Sequence, residues 1–315
     1  MSTSAPLADL EIVKTIGLGS FNRVQLVKNR KDGRYYALKV MNMAKIISIN
    51  QINYVHQEKA LLAEARHPFI VSLYHTAKND RNLYLCTEFL SGGELYTHLY
   101  TKKVFSFNIA QFFAAEIAAA FTFLHGISVV YRDLKPENLV LSEQGHVKLT
   151  DFGFAKKVAG KTFTLCGTAE YLAPEVVTRS GHSFPVDWWA LGILTYEMLT
   201  GQPPFQGANQ EETYDQIQRT EPRFSDSINA VSRSFISDLL EKDPSRRLGT
   251  TDSEVKQHPF FTEINFGDLE AGKVQPPIVP HLEREDDTLY FPPFDESDIE
   301  EPPSSQRDRD LFAEW

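Results

Sequence analysis

Arg132-Asp133-Leu134-Lys135-Pro136-Glu137-Asn138 places four charged side chains and one amide within seven residues, directly after the run Val129-Val130-Tyr131. Thirteen residues after Asn138 comes Asp151-Phe152-Gly153, and later Ala173-Pro174-Glu175. A lone Asp-Phe-Gly is more often a turn, but its place behind the charged stretch reverses that reading.

On the N-terminal side, residues 10 to 40 alternate as strands do, with turns at Gly17-Leu18-Gly19 and Lys31-Asp32-Gly33, which predicts an antiparallel opening sheet. A helix is expected around Tyr54 to Arg66, then strands over Phe69 to Tyr74 and Leu83 to Phe89, ending at Ser91-Gly92-Gly93. Beyond that the period becomes helical: Ile109, Phe113, Ile117, Phe121 and Leu124 share one face. Trp188 to Leu194 is apolar nearly all round, as a buried helix should be, and Gly201-Gln202-Pro203-Pro204 stops it. From Pro276 onward the chain turns Pro-rich and acidic and reads as an extended tail. Gly17-Leu18-Gly19-Ser20-Phe21 could approach a phosphate, but it lies between strand-like segments, which disfavours a dinucleotide fold.

Composition narrows the class. At 315 residues with 42% hydrophobic and 23% charged side chains, the chain is folded and large enough for two modest domains. A net charge of −10 is the wrong sign for a nucleic-acid partner, and residues 283–315, with 12 acidic and 3 basic side chains, hold −9 of it. Only Cys86 and Cys166 occur, outside any zinc-ligand spacing, so free thiols in a reducing compartment, cytoplasmic or also nuclear, are expected. The N-terminus lacks signal-peptide features, and no apolar run is read as approaching membrane-spanning length, so no membrane insertion is expected.

Taken together, the charged stretch (seven specified residues, a chance match on the order of 10⁻⁷), Asp151-Phe152-Gly153, Ala173-Pro174-Glu175 and Tyr36-Ala37-Leu38-Lys39 resemble a eukaryotic protein kinase over residues 10 to 265. Tyr131-Arg132-Asp133, Lys161 to Thr168 and Asp187-Trp188-Trp189-Ala190 resemble the AGC group, and within it the cAMP-dependent kinases. The resemblance implies an α+β bilobal fold: a short extension (1–9), an antiparallel small lobe (10–90), a mainly helical large lobe (91–265) and an AGC-type C-terminal tail (266–315). Phe291-Pro-Pro-Phe294 resembles a tail segment near the nucleotide, and Phe312-Ala-Glu-Trp315 a motif that docks on the small lobe.

By the same resemblance the activity is transfer of the ATP γ-phosphate to Ser or Thr, with Mg²⁺. Asp133 is the base, Lys135 neutralises the γ-phosphate, Asn138 and Asp151 are metal ligands, and Lys39 holds phosphates while paired with Glu58. Nucleotide contacts fall to Ile16, Gly17, Leu18, Gly19, Ser20, Phe21 and Val24 around the loop. Ala37, Glu88, Leu90, Glu94 and Val140 complete them. Thr164 is the activating phosphosite, facing Arg132 and Lys156. Glu94, Glu137 and Glu197 imply basic protein substrates with arginines two and three residues before the acceptor, and Leu165 and Leu172 an apolar wall after it. A cAMP-binding regulatory subunit is among the implied partners. The alternatives are an AGC kinase without cyclic-nucleotide control, or a catalytically silent kinase-like binding module. Two positions depart from the pattern: Asn22 stands for the third loop glycine, where Asn is the residue that best tolerates positive φ, and Ala169 stands for a proline.

Overall fold

The computed structural model describes residues 7–294 and 304–315. These form two compact units: the described residues of 1–66, 71–93 and 281–315 in one, and residues 67–70 and 94–280 in the other.

The first unit is built on a five-stranded antiparallel sheet, ordered β1 (Leu10–Leu18), β2 (Asn22–Asn29), β3 (Tyr35–Asn42), β5 (Asn82–Glu88), β4 (Leu73–Lys78). A short loop, Asn29 to Gly33, turns β2 into β3 with Gly33 at φ 72°, a left-handed position. The register pairs Gly17 with Val24, Val24 with Lys39 and Ala37 with Thr87, so these side chains share one face. Helices α1 (Met43–Ser48) and α2 (Ile52–Glu64) follow β3. α2 buries Val55, Glu58, Leu61 and Leu62, a stripe at helical spacing that includes one carboxylate.

The chain end belongs to this unit. Phe312 is fully buried, His56 of α2 stacks on it at 5.6 Å, and Trp315 Nε1 donates to Ala77 O at 2.8 Å. Lys78 and Lys59 donate to backbone carbonyls of Ala313 and Glu314, which answers the exposed carbonyls of a chain terminus. Phe291 packs near Phe89 at 5.9 Å, and Lys14 donates to Thr288.

The second unit is mainly helical, with α3 (Leu95–Lys102), α4 (Phe107–Gly126), α5 (Pro174–Val177), α6 (Pro185–Thr200), α7 (Gln210–Arg219), α8 (Ala230–Leu239), α9 (Asp252–Gln257) and α10 (Phe266–Glu270). Hairpin strands β7 (Leu139–Leu141) and β8 (Val147–Leu149) sit among them, with a two-residue pair β6 (Val129–Val130) and β9 (Lys156–Lys157). α6 starts on Pro185 and ends at Gly201, whose φ of 81° and closeness to Lys103 O (2.5 Å from a would-be Cβ) leave no room for a side chain. A buried bidentate pair joins α5 to the loop after α8: Arg247 donates to both Glu175 oxygens at 2.7 and 2.9 Å and lies over Trp189.

Three expectations need correction. Phe69 to Tyr74 is not a strand: Phe69, Ile70 and Val71 are buried, Ile70 bridges Leu149 of the second unit, and the sheet edge starts at Leu73. A continuous apolar run reads alike as a strand or as core filling. Residues 266–280 are not tail but part of the second unit, beginning with α10, and only 281–315 join the first. α4 is, by length and composition, apolar enough to span a membrane, contrary to the reading that no run approached that length; its residues from Ala110 to Phe121 are buried as those of a core helix of this unit.

Candidate active site

In the first unit, Val24, Ala37 and Lys39 point from one face of the sheet, and Lys39 Nζ meets Glu58 Oε1 at 2.6 Å. Glu58 is 3% exposed, so α2 carries a buried carboxylate whose charge the lysine answers. Ile16 is buried at the end of β1, whereas Leu18 is half exposed, and Gly19, Ser20 and Phe21 make the turn to β2. Glu88 ends β5 with its carboxylate accepting from Ser72 N at 2.7 Å, and Leu90 is buried just beyond.

Asn22 is an ordinary strand residue paired with Met41, not a residue at positive φ. Its carboxamide lies against Gly19, 2.8 and 2.9 Å from where a Cβ would stand, and Gly19 N donates to Asn22 O. The side chain shares the face of Val24, so an amide occupies the underside of the loop where a glycine would leave space.

In the second unit the charged stretch is held by Asp187. Its carboxylate accepts from Tyr131 N at 2.9 Å and Arg132 N at 2.8 Å and lies 2.9 Å from His125 Nε2. These bonds fix Arg132 at φ 68°, a left-handed turn that a non-glycine residue adopts only when held. Asp133 follows, 6% exposed. Its Oδ2 accepts from Asn138 Nδ2 at 2.7 Å with Lys135 Nζ 3.5 Å away, while Oδ1 is buried without a hydrogen-bond partner. Burial pushes its pKa up to about 6, against the pull of Lys135 and Asn138.

The β7–β8 hairpin, pairing Leu139 with Leu149, brings Asn138 beside Thr150, which donates twice to Asn138 O, and so beside Asp151. Asp151 Oδ1 accepts from Gly153 N at 2.9 Å. Asn138 spends its amide nitrogen on Asp133, so its amide oxygen is the atom able to ligate a cation. One amide oxygen and one carboxylate are a hard donor set that fits Mg²⁺, an ion that keeps waters and shares phosphates rather than needing an all-protein cage. Among the described residues there is no cluster of three or more His, Cys, Asp or Glu able to hold a metal alone.

Glu94 precedes α3 and bridges Val140 of β7. Burial, then the neighbouring Glu137, push its carboxyl above the ordinary range. Glu197 on α6 is raised by burial too, with Glu137 and Glu170 adding to it, while the Tyr171 hydroxyl donates to its carboxylate. Sequence reasoning missed Glu170, which joins this group only because the short 3₁₀ turn Ala169–Tyr171 carries it there. It also left Asp187 and His125 without a role, since nothing in the local sequence signals that Asp187 bonds to loop amides more than 50 residues away or meets His125.

Thr164 lies in the segment after β9, partly exposed, with Phe163 and Leu165 exposed on either side. Leu172 is buried against Gly167, so of the two expected wall residues only Leu165 stands open. Lys156 Nζ donates to Thr162 at 3.0 Å; Arg132 Nε donates to Phe154 O at 2.8 Å, and its Nη1 is buried without a partner. Cys166 is raised by burial with Arg132, Asp133 and Lys156 close enough to perturb it, which puts this segment against the catalytic loop.

The protein kinase domain family matches residues 10–261. A cAMP-dependent protein kinase catalytic subunit-like protein of Caenorhabditis elegans is 45% identical over 99% of this chain and 79% of its own length. The cAMP-dependent protein kinase catalytic subunit of Dictyostelium discoideum is 44% identical over 95% of this chain and 47% of that relative. The serine/threonine-protein kinase Sgk1 of Danio rerio is 42% identical over 92% and 68%. With its antiparallel sheet unit, its helical unit and the Asp133, Asn138 and Asp151 geometry, the chain belongs to the protein kinase family, as a serine/threonine kinase of AGC type.

Proposed function

We propose that the chain transfers the γ-phosphate of ATP to Ser or Thr in basic proteins carrying arginines two and three residues before the acceptor, and that phosphate on Thr164 activates it. One observation carries the catalytic part: Asp133 Oδ1 is buried, unpartnered and on a carboxylate whose other oxygen is pinned. That oxygen accepts the substrate hydroxyl proton as the hydroxyl oxygen bonds to the γ-phosphorus and the bond to the ADP oxygen breaks, leaving phosphoprotein and ADP. Lys135 offsets the charge on the transferring group, and Lys39, held by Glu58, contacts the α- and β-phosphates. Asn138 and Asp151 would hold Mg²⁺, which when bound neutralises phosphate charge.

After burial, Glu137 pushes the carboxyls of both Glu94 and Glu197 up, and Glu170 adds to the push on Glu197, so a cation placed beside them relieves repulsion as well as gaining attraction; this supports arginine at the substrate positions. The unpartnered Arg132 Nη1 supports a phosphate on Thr164, whose roughly two negative charges would satisfy it. The names of the relatives support a cAMP-binding regulatory subunit as partner, with exposed Phe163 on the activation segment as contact; similarity to Sgk1 favours the reading without it. We assign the chain to reducing compartments, cytoplasmic and nuclear, because its two cysteines are free.

The test is turnover of an Arg-Arg-x-Ser peptide by the purified chain, with and without a cAMP-kinase regulatory subunit. Turnover is expected, and inhibition relieved by cAMP would assign the regulatory partner. No turnover by Thr164-phosphorylated protein would leave the silent binding module as the reading.

A further inference from the structure

We propose that the outward face of α3 docks an apolar anchor of the protein substrate, upstream of its arginines; the inference rests on the basic-substrate reading above and adds a second determinant to it. α3 buries Leu95, His98 and Leu99 and turns the other way Tyr96 and Tyr100, which are 44% and 66% exposed. Val104, just past the helix, is 48% exposed. Side chains four apart lie one above the other on a helix, and the two rings stack at 6.1 Å and 21°. The solvent side of a helix is ordinarily polar, so two stacked exposed rings with an exposed valine just beyond them mark an interaction surface.

The strip's position and charge name the occupant. Glu94, one of the carboxylates offered to arginine, stands at the start of the same helix, two residues before Tyr96, so the strip continues the track of a bound peptide. At its other end Lys103 Nζ lies 4.8 Å from the centre of the Tyr100 ring, with Lys102 beside it. That ring already carries a cation, and a further arginine would be repelled by it; an aromatic or branched aliphatic side chain has no charge to be repelled and can pack on the ring faces. From Glu94 to Tyr100 the helix rises about 9 Å, the length of about three residues of extended chain. The anchor therefore lies about three residues before the arginine that meets Glu94, some five to six before the acceptor.

Steady-state kinetics on three peptides test this: Arg-Arg-x-Ser alone, the same peptide extended at its N-terminus with Phe five or six residues before the acceptor, and the extension with Ser in place of Phe. The expected result for the natural chain is a KM for the Phe peptide lower than for the Ser-extended one by on the order of tenfold. That ratio should collapse to about one in the Tyr96→Ser/Tyr100→Ser variant and persist in Tyr96→Phe/Tyr100→Phe, which keeps the rings. Equal KM values for the two extended peptides in the natural chain, or a ratio surviving the double Ser change, would overturn the docking strip while leaving the basic-substrate reading intact. Failure of the natural chain to use any of the three would overturn both.

Discussion

In the proposed reaction, Asp133 is the group that takes the proton. Its pKa of about 6 comes from burial first, so the carboxylate is ionised at neutral pH yet basic enough to accept a proton. The expected kcat/KM rises with pH through about 6 and drops about tenfold per unit below it; a rate flat between pH 5 and 7 would exclude Asp133 as the base. Because the folded pKa lies above the ordinary carboxylate value, this group's contribution to stability is present below that value and lost as pH rises through about 6. Asp133→Asn should thus lose about 10²-fold to 10⁴-fold in kcat while melting no lower than the natural chain at pH 7, a pair of results that a misfolded variant could not give. Asn22 makes a separate case. Its amide lies in the space against Gly19, so Asn22→Gly should tighten ATP binding, read by direct nucleotide titration.

At the scale of elements, the chain terminus is a structural part of the first unit. Phe312 is fully buried between α2 and the β4 edge, and Phe312→Ala should cost about 3–5 kcal/mol in urea unfolding. An unchanged midpoint would mean that the terminus is not docked in solution. In the second unit, Arg247→Ala leaves Glu175 charged and buried and should cost a similar amount, about 3–5 kcal/mol, whereas Glu175 and Arg247 replaced together by apolar residues should cost less. These elements differ in how they could be read beforehand. β1 to β3 were legible because alternation and Gly33 are local signals, and α4 because its apolar period runs for 20 residues. Phe69 to Val71 was misread because an apolar run does not say which core it fills.

Over the whole molecule, charge is divided unevenly. Residues 283–315 carry −9 of the net −10, yet the carboxylates that act on one another, Glu94, Glu137, Glu170 and Glu197, lie outside that segment. Attraction for basic substrates over distances beyond about 8 Å is screened at physiological salt, so affinity should follow the local group. Glu137→Gln with Glu197→Gln should raise KM for an Arg-Arg-x-Ser peptide by 10-fold or more, about 1.4 kcal/mol, and reduce its salt dependence. Replacing Glu300 and Glu301 with glutamine should change KM less than twofold. The reverse order of effects would place recognition in the acidic segment.

The sequence alone determined the family, because Arg132 to Asn138, Asp151-Phe152-Gly153 and Lys39 together resemble the protein-kinase motif set, and the proposed reacting groups are the ones that resemblance implies. Tertiary structure decided what those groups are able to do. Burial raises the Asp133 carboxyl, the Asp187 carboxylate accepts from the amide of Arg132 in its left-handed turn, and a 3₁₀ turn carries Glu170 to the acidic group. Burial and contacts between residues far apart in the chain set these properties, and neither is encoded in any local stretch of residues.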